Sequence, residues 1–309
     1  MNFFNDDKKL KKAFGIKNEK PMTRFIDNID AVKVKLINWP DEERMKRHLV
    51  QFATGSWFED FSQIADEEDY NSALEELRMG KILAQGLEGI MFSFLVSGLS
   101  LHGSHAIVRT RIGAAYLQQS QAVQDFRHTD LLMPRAYQKS PELLKFYQNW
   151  CISGKELYRM LLDTNDIAIT DARFSLSKTI PVWINISMSL PTILSVYSKR
   201  TDVTEEHPEM NKFAEELRLR IEEKFPWMST YFKRDNNCIH RFEGYRSNCV
   251  FTRDGPDVLP EGSRENWTFH NKTKHELMLK DLKSYETEFF IGYTKVSEDE
   301  YNRYKNRLD

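Results

Sequence analysis

The stretch Phe92–Tyr137 reads FSFLVSGLSLHGSHAIVRTRIGAAYLQQSQAVQDFRHTDLLMPRAY, and the fold turns on how it is parsed. At its front, within Gly89–Ser97, Ile90, Phe92, Phe94 and Val96 alternate with smaller or polar partners. That period of two predicts a strand with one buried face. Residues 99–125 then resume a helical texture. Inside it stand Arg109 and Arg111 on either side of Thr110, followed by the glutamine-rich run Gln118-Gln119-Ser120-Gln121. A planar guanidinium can hold two oxygens of an anion such as phosphate at once, which makes these arginines candidates for an anion contact.

Outward from this stretch the pattern alternates between helix and strand. Upstream, residues 1–40 read as a polar lead-in with a strand at Ala31–Ile37. Asp41–Thr54 is helical, with Met45, Leu49, Phe52 and Ala53 on one face, and a second helix runs from about Ser72 to Gln85 past an acidic loop at Asp66–Asp69. Downstream, Pro141 opens an amphipathic helix carrying Leu144, Tyr147, Cys151, Leu157 and Leu161. Proline is tolerated there because the first helical N–H has no intrahelical acceptor. Val182, Ile184, Ile186 and Met188 alternate with Trp183, Asn185 and Ser187, the clearest strand in the chain. A helix from Pro191 to Arg200 follows, then a charged amphipathic one over Pro208–Lys224 with Met210, Phe213, Leu217 and Ile221 facing inward. After Lys233 the texture changes, and 234–309 reads as an extension appended to a main body of 1–233.

Two further matches join these elements to a family. Arg109-Thr110-Arg111 and Ser120-Gln121-Ala122 stand where the flavin-dependent thymidylate synthases carry Arg-His-Arg and Ser-x-Arg, with one extra residue between them. Asp171-Ala172-Arg173-Phe174-Ser175-Leu176 resembles the Asp-Ala-Arg-Tyr-Val-Leu of the same family, and the ungapped 27 positions from Arg173 to Arg200 keep its strand and helix. The resemblance covers about residues 40–233. It implies an α+β fold, an antiparallel sheet flanked by long helices. It implies FAD as cofactor, NADPH and methylenetetrahydrofolate as co-substrates, a pyrimidine nucleotide monophosphate as substrate, and a homotetramer with sites shared between subunits.

By that resemblance Arg109, Thr110, Arg111, Glu88, Gln118, Ser189 and Ser195 line the flavin. Ser120, Gln119 and Arg173 hold the nucleotide, and Arg200 faces the pyrimidine ring as the catalytic cation. There it stabilises the charge that develops when the ring N3 loses its proton, with no protein nucleophile needed. The implied reaction is methylation at C5 of a uracil nucleotide, or a variant such as hydroxymethylation. The departures are Thr110 in place of histidine, Ala122 in place of a phosphate-gripping arginine, and Gly89 where a histidine is expected, with only Gln85 and Glu88 kept nearby. Arg127 and His128 are candidates to compensate for Ala122. The departures also suit a paralogue that has lost catalysis and serves as a nucleotide-binding or structural subunit.

Composition narrows the alternatives. A formal net charge of -2 gives no reason to expect nucleic acid or a membrane surface as partner. The apolar run Ile90–Leu101 is broken by serines and Gly98, and is far short of the roughly 20 residues that span a bilayer. The opening MNFFNDDKKLKKAFG has mixed charge and no apolar core, so no secretory signal is expected. Three scattered cysteines make no disulfide framework and suit a reducing, cytoplasmic setting. Cys238, His240, Cys249, His270 and His275 match no compact zinc-finger spacing, so no metal is expected. No Gly-x-Gly-x-x-Gly follows a strand, and Ser104-His105 lacks a nucleophile elbow.

Overall fold

The computed structural model describes residues 20–54, 84–164, 166–201, 207–232 and 283–308. Its centre is a four-stranded antiparallel sheet in the order β2 (Lys33–Asn38), β3 (Met91–Ser100), β6 (Pro181–Ser189), β4 (Ala114–Gln118). The alternating residues of β3 and β6 do what their period demands. Phe92, Phe94, Val96, Val182, Ile184, Ile186 and Met188 are all buried on one face. Against that face lie α5 (Leu190–Arg200) and α6 (Pro208–Lys224). Met210, Phe213, Leu217 and Ile221 of α6 are fully buried, which at about 1.5–3 kcal/mol per large side chain makes this helix the main cover of the sheet.

The expected antiparallel sheet and its long helices are present, and three local expectations are corrected. Residues 99–125 are helical only over α2 (Leu101–Ile107); the chain then turns and enters β4. The strand was disguised because alanine and glutamine are good helix formers and its outer face, with Ala115 and Leu117, is exposed. The inward face of α3 (Pro141–Asp163) does not include Leu157, which is exposed. Its buried stripe is Tyr147, Gln148, Cys151, Ile152, Lys155, Tyr158 and Arg159, with Gln148, Lys155 and Arg159 polar. The lead-in before residue 31 contains a strand, β1 (Met22–Asp27). The helix expected over Ser72–Gln85 falls almost wholly outside the described residues, as does the acidic loop; the described part, from Ala84, belongs to a 3-10 turn, Ala84–Gly89.

β1 anchors a second, mixed sheet in the order β5 (Leu131–Met133), β1, β7 (Glu288–Ile291), β8 (Thr294–Val296). β1 pairs parallel with β5 and antiparallel with β7, so residues near the end of the chain share a ladder with Met22–Asp27. Asp27 secures the join. Its carboxylate accepts two bonds from the Arg135 guanidinium and others from the backbone N–H of Ile29, Asp30 and Tyr285. Burial works to raise the Asp27 carboxyl, but Arg135 and these amides hold it below the ordinary range. Under this sheet the fully buried Lys155 ammonium donates to the carbonyls of Met22 and Thr129, and burial lowers its pKa to about 7. The remaining described helices are α1 (Glu42–Thr54), α4 (Ile169–Ala172) and α7 (Glu298–Lys305). No helix among the described residues is long and apolar enough to cross a membrane.

Candidate functional site

The loop that carries Arg109 and Arg111 is built from both ends. β3 closes in a bulge at Gly98, and Ser100 then caps α2 by accepting from Gly103 N at 2.9 Å. The buried Glu209 of α6 accepts from Ser100 N at 3.0 Å and from its hydroxyl at 2.8 Å, fixing where α2 begins. Seven residues later α2 ends at Ile107, and residues 108–113 cross to β4.

The carbonyls of this crossing are held from outside. Ala106 O accepts from Arg200 Nη2 at 3.0 Å, and Thr110 O from the Tyr116 hydroxyl at 2.6 Å. Ile112 O accepts from the Thr192 hydroxyl, and Gly113 O from Ser189 N, each at 2.8 Å. Gly113 has φ +65°, and a Cβ there would lie 2.4 Å from Ser189 Oγ and 2.5 Å from Thr192 Oγ1, so only glycine fits. With the carbonyls of Thr110, Ile112 and Gly113 held, the Arg109 and Arg111 side chains are exposed, with no hydrogen bond or ion pair to any described residue. The half-buried Arg200, in the last turn of α5, stands behind the loop, and Ser195 lies half-buried on the same helix. The Tyr116 hydroxyl is pushed up to about 12 by burial, against the pull of Arg200 and the bond to Thr110, so it stays a neutral donor.

Gln118, Gln119 and Ser120 lie at the far end of β4. Gln118 pairs with Ile184, and Gln119 N donates to Trp183 O at 2.8 Å, which directs Ser120 past the sheet edge. Ser120 is exposed, and its hydroxyl accepts from Ala122 N at 3.2 Å. Gln121 Nε2 is buried with no hydrogen-bond partner among the described residues. Arg173 is half-buried in a 3-10 turn after α4, on the segment that leads into β6. Between two groups of predicted residues runs β4 itself, about 14 Å long from Ala114 to Gln118 at about 3.4 Å per residue. One group is Arg109, Thr110, Arg111, Ser189 and Arg200, joined by hydrogen bonds through the clamped loop. The other is Gln118, Gln119 and Ser120.

Several neighbours were not foreseen. Tyr116 and Thr192 make the clamp, yet their partners are backbone carbonyls, which leave no mark on residue type. His48 of α1 fills the space over Gly89, where a Cβ would come 2.5 Å from its Nε2. Glu88, beside it, is exposed. Arg127 is engaged with Asp125 and Asp163, and His128 accepts from Met22 N, so neither serves the Ser120 loop. His128 instead lines a cavity of about 350 Å³ on the second sheet, with Arg24, Asp130, Phe289, Tyr301 and Lys305, away from every predicted site residue. The cysteines and histidines weighed for zinc lie outside the described residues.

An antiparallel sheet whose edge loop exposes two guanidiniums unpaired among the described residues, with a third on the helix after β6, defines an α+β protein with a cationic loop at the edge of its sheet. Residues 35–227 match the family model of the thymidylate synthase complementing protein, and the chain belongs to that family. Among its relatives are the flavin-dependent thymidylate synthase of Geobacter sulfurreducens, 28% identical over 128 residues, and that of Nitratidesulfovibrio vulgaris, 29% identical over 121. Those alignments take in 40% and 37% of this chain and 54% and 49% of the relatives, so the chain spans about half the length of each. In fold it is similar to a UMP/dUMP methylase, PolB from Streptomyces cacaoi, solved with 5-Br dUMP (TM-score 0.58) and with 5-Br UMP (TM-score 0.54). Both matches are 14% identical and take in 67% of this chain, against 96% and 95% of the methylase chain.

Proposed function

We propose that this chain is a flavin-dependent one-carbon transferase that methylates C5 of a uracil nucleotide monophosphate. The observation that carries the reading is the clamped loop, which leaves Arg109 and Arg111 without a partner among the described residues at the sheet edge, with Arg200 directly behind. Guanidiniums held ready on a stiff loop suit phosphate and carbonyl oxygens, because little ordering remains to be done on binding. That donor set fits FAD. Held there by Arg109 and Arg111, FAD would supply the redox chemistry that reduces the one-carbon unit, with NADPH and methylenetetrahydrofolate as co-substrates. Arg109 and Arg111 orient the flavin and the adjoining substrate, Ser120 and Arg173 hold the nucleotide phosphate, and Arg200 stabilises the anion as N3 loses its proton.

The split of these residues into two groups supports a site shared between subunits of a homotetramer. The outward face of the central sheet supports the same assembly. There Trp183 of β6 and Leu117 of β4 are exposed as diagonal neighbours on adjacent strands, an apolar pair that a second copy would cover. The purified protein is expected to turn yellow on reconstitution with FAD and to scatter light as a tetramer. A colourless monomer would sink both parts.

Arg173→Ala is expected to weaken a nucleotide monophosphate about tenfold or more while leaving the nucleoside nearly unaffected, since a charge-assisted contact is lost. Calorimetry giving equal losses for the two ligands would remove Arg173 from the phosphate. Ala122, which offers no grip on phosphate, favours a second reading, a nucleotide-binding paralogue without turnover. Binding of deoxyuridylate with no product under reducing, folate-supplied conditions would select it.

A further inference from the structure

The crossing between α2 and β4 raises the question of what keeps its two arginines in place. Its own hydrogen bonding is sparse: within it, Thr110 N donates to Ile107 O at 3.0 Å. Most of the order comes from side chains elsewhere. Thr192 has one hydroxyl proton, and it goes to Ile112 O at 2.8 Å. The 3.0 Å bond between Ser189 Oγ and Thr192 Oγ1 must then run from Ser189 to Thr192. The result is a directed chain, Ser189 hydroxyl to Thr192 hydroxyl to Ile112 carbonyl, starting from a buried serine. Two residues before Ile112, the Tyr116 hydroxyl takes Thr110 O. The held carbonyls of Thr110 and Ile112 thus bracket Arg111, and Thr110 joins it to Arg109.

We propose that Tyr116 and Thr192 are positioning residues that act through this loop to set where Arg109 and Arg111 stand. Neither needs to touch a ligand. The proposal rests on the reading of Arg109 and Arg111 as ligand-binding groups, but the clamp itself can be tested without it. Geometry makes the requirement specific: Thr192 must offer a hydroxyl, whereas its methyl group is dispensable. Tyr116 must offer a hydroxyl on a ring that packs at the edge of the core.

The test uses the full-length protein and the variants Thr192→Val, Thr192→Ser and Tyr116→Phe. Amide hydrogen exchange is followed in peptides covering 107–113, with titration of FAD alongside. Thr192→Val and Tyr116→Phe are expected to speed exchange in the loop about tenfold and to weaken FAD about tenfold, with exchange in α6 unchanged. Thr192→Ser is expected to restore both. Wild-type exchange in the loop for Thr192→Val and Tyr116→Phe, or failure of Thr192→Ser to rescue, overturns the clamp. Faster exchange with FAD affinity unchanged overturns its role in positioning the arginines. A wild-type protein that binds no FAD, while its loop still loosens in the variants, counts against the flavin reading and leaves the clamp standing.

Discussion

Gly98→Ala is expected to destabilise the protein by at least about 4 kcal/mol, among the largest effects a single methyl group can have. Gly98 sits at φ +78°, in the bulge where the β3–β6 register shifts between Ser97 and Leu99. A left-handed conformation alone costs a non-glycine residue about 1–2 kcal/mol. Steric overlap costs more. A Cβ at this position would lie 1.8 Å from the carbonyl oxygen of Ala31 and 2.4 Å from its carbon. Those atoms are backbone, and they belong to the turn that joins the two sheets, where Ala31 N is bonded to Asp27 O. Either the turn or the bulge has to move, and the bulge directly precedes the cap of α2. Thermal denaturation followed by circular dichroism should show Tm falling by roughly 10 °C or more. Gly89→Ala is the control, since the atoms it meets are the far end of the His48 side chain and not backbone. If the two variants melted alike, the reading of Gly98 would be wrong.

The second large effect falls on turnover. Arg200→Lys is expected to lower kcat on the order of 10²-fold, the usual loss when a fixed donor to a developing anion is removed. The side chain donates Nη2 to Ala106 O at 3.0 Å, and its charge is felt at the Tyr116 hydroxyl. A planar fork can keep that bond and still present other N–H groups, with its direction set. An ammonium on a flexible stem cannot do both. Activation through N3 also needs a ring that carries a proton there, which uracil does and neutral cytosine does not. Deoxyuridylate should therefore be preferred over deoxycytidylate. Equal conversion of the two, or full turnover by Arg200→Lys, would rule the mechanism out.

The amino-acid sequence by itself determined three strands of the central sheet, β2, β3 and β6, and their cover, while β4 read as helix. The alternation in β3 and β6 and the 3.6-residue spacing of Met210, Phe213, Leu217 and Ile221 are local signals, and each face buried as its period required. The arginines around Thr110 were legible for the same reason, because charge and spacing are properties of residues. Tertiary structure alone decided the rest. β1 and β5 are short segments that pair with each other across more than a hundred residues, so no local period announces them. The polar inner stripe of α3 defied its hydrophobic pattern because Lys155 and Gln148 find partners on other elements, Met22 and Thr129 for one and Tyr285 and Glu288 for the other. The clamp on the Arg109–Arg111 loop was invisible for a related reason. Its acceptors are main-chain carbonyls, which every residue carries, and only the fold determines which hydroxyl reaches which carbonyl.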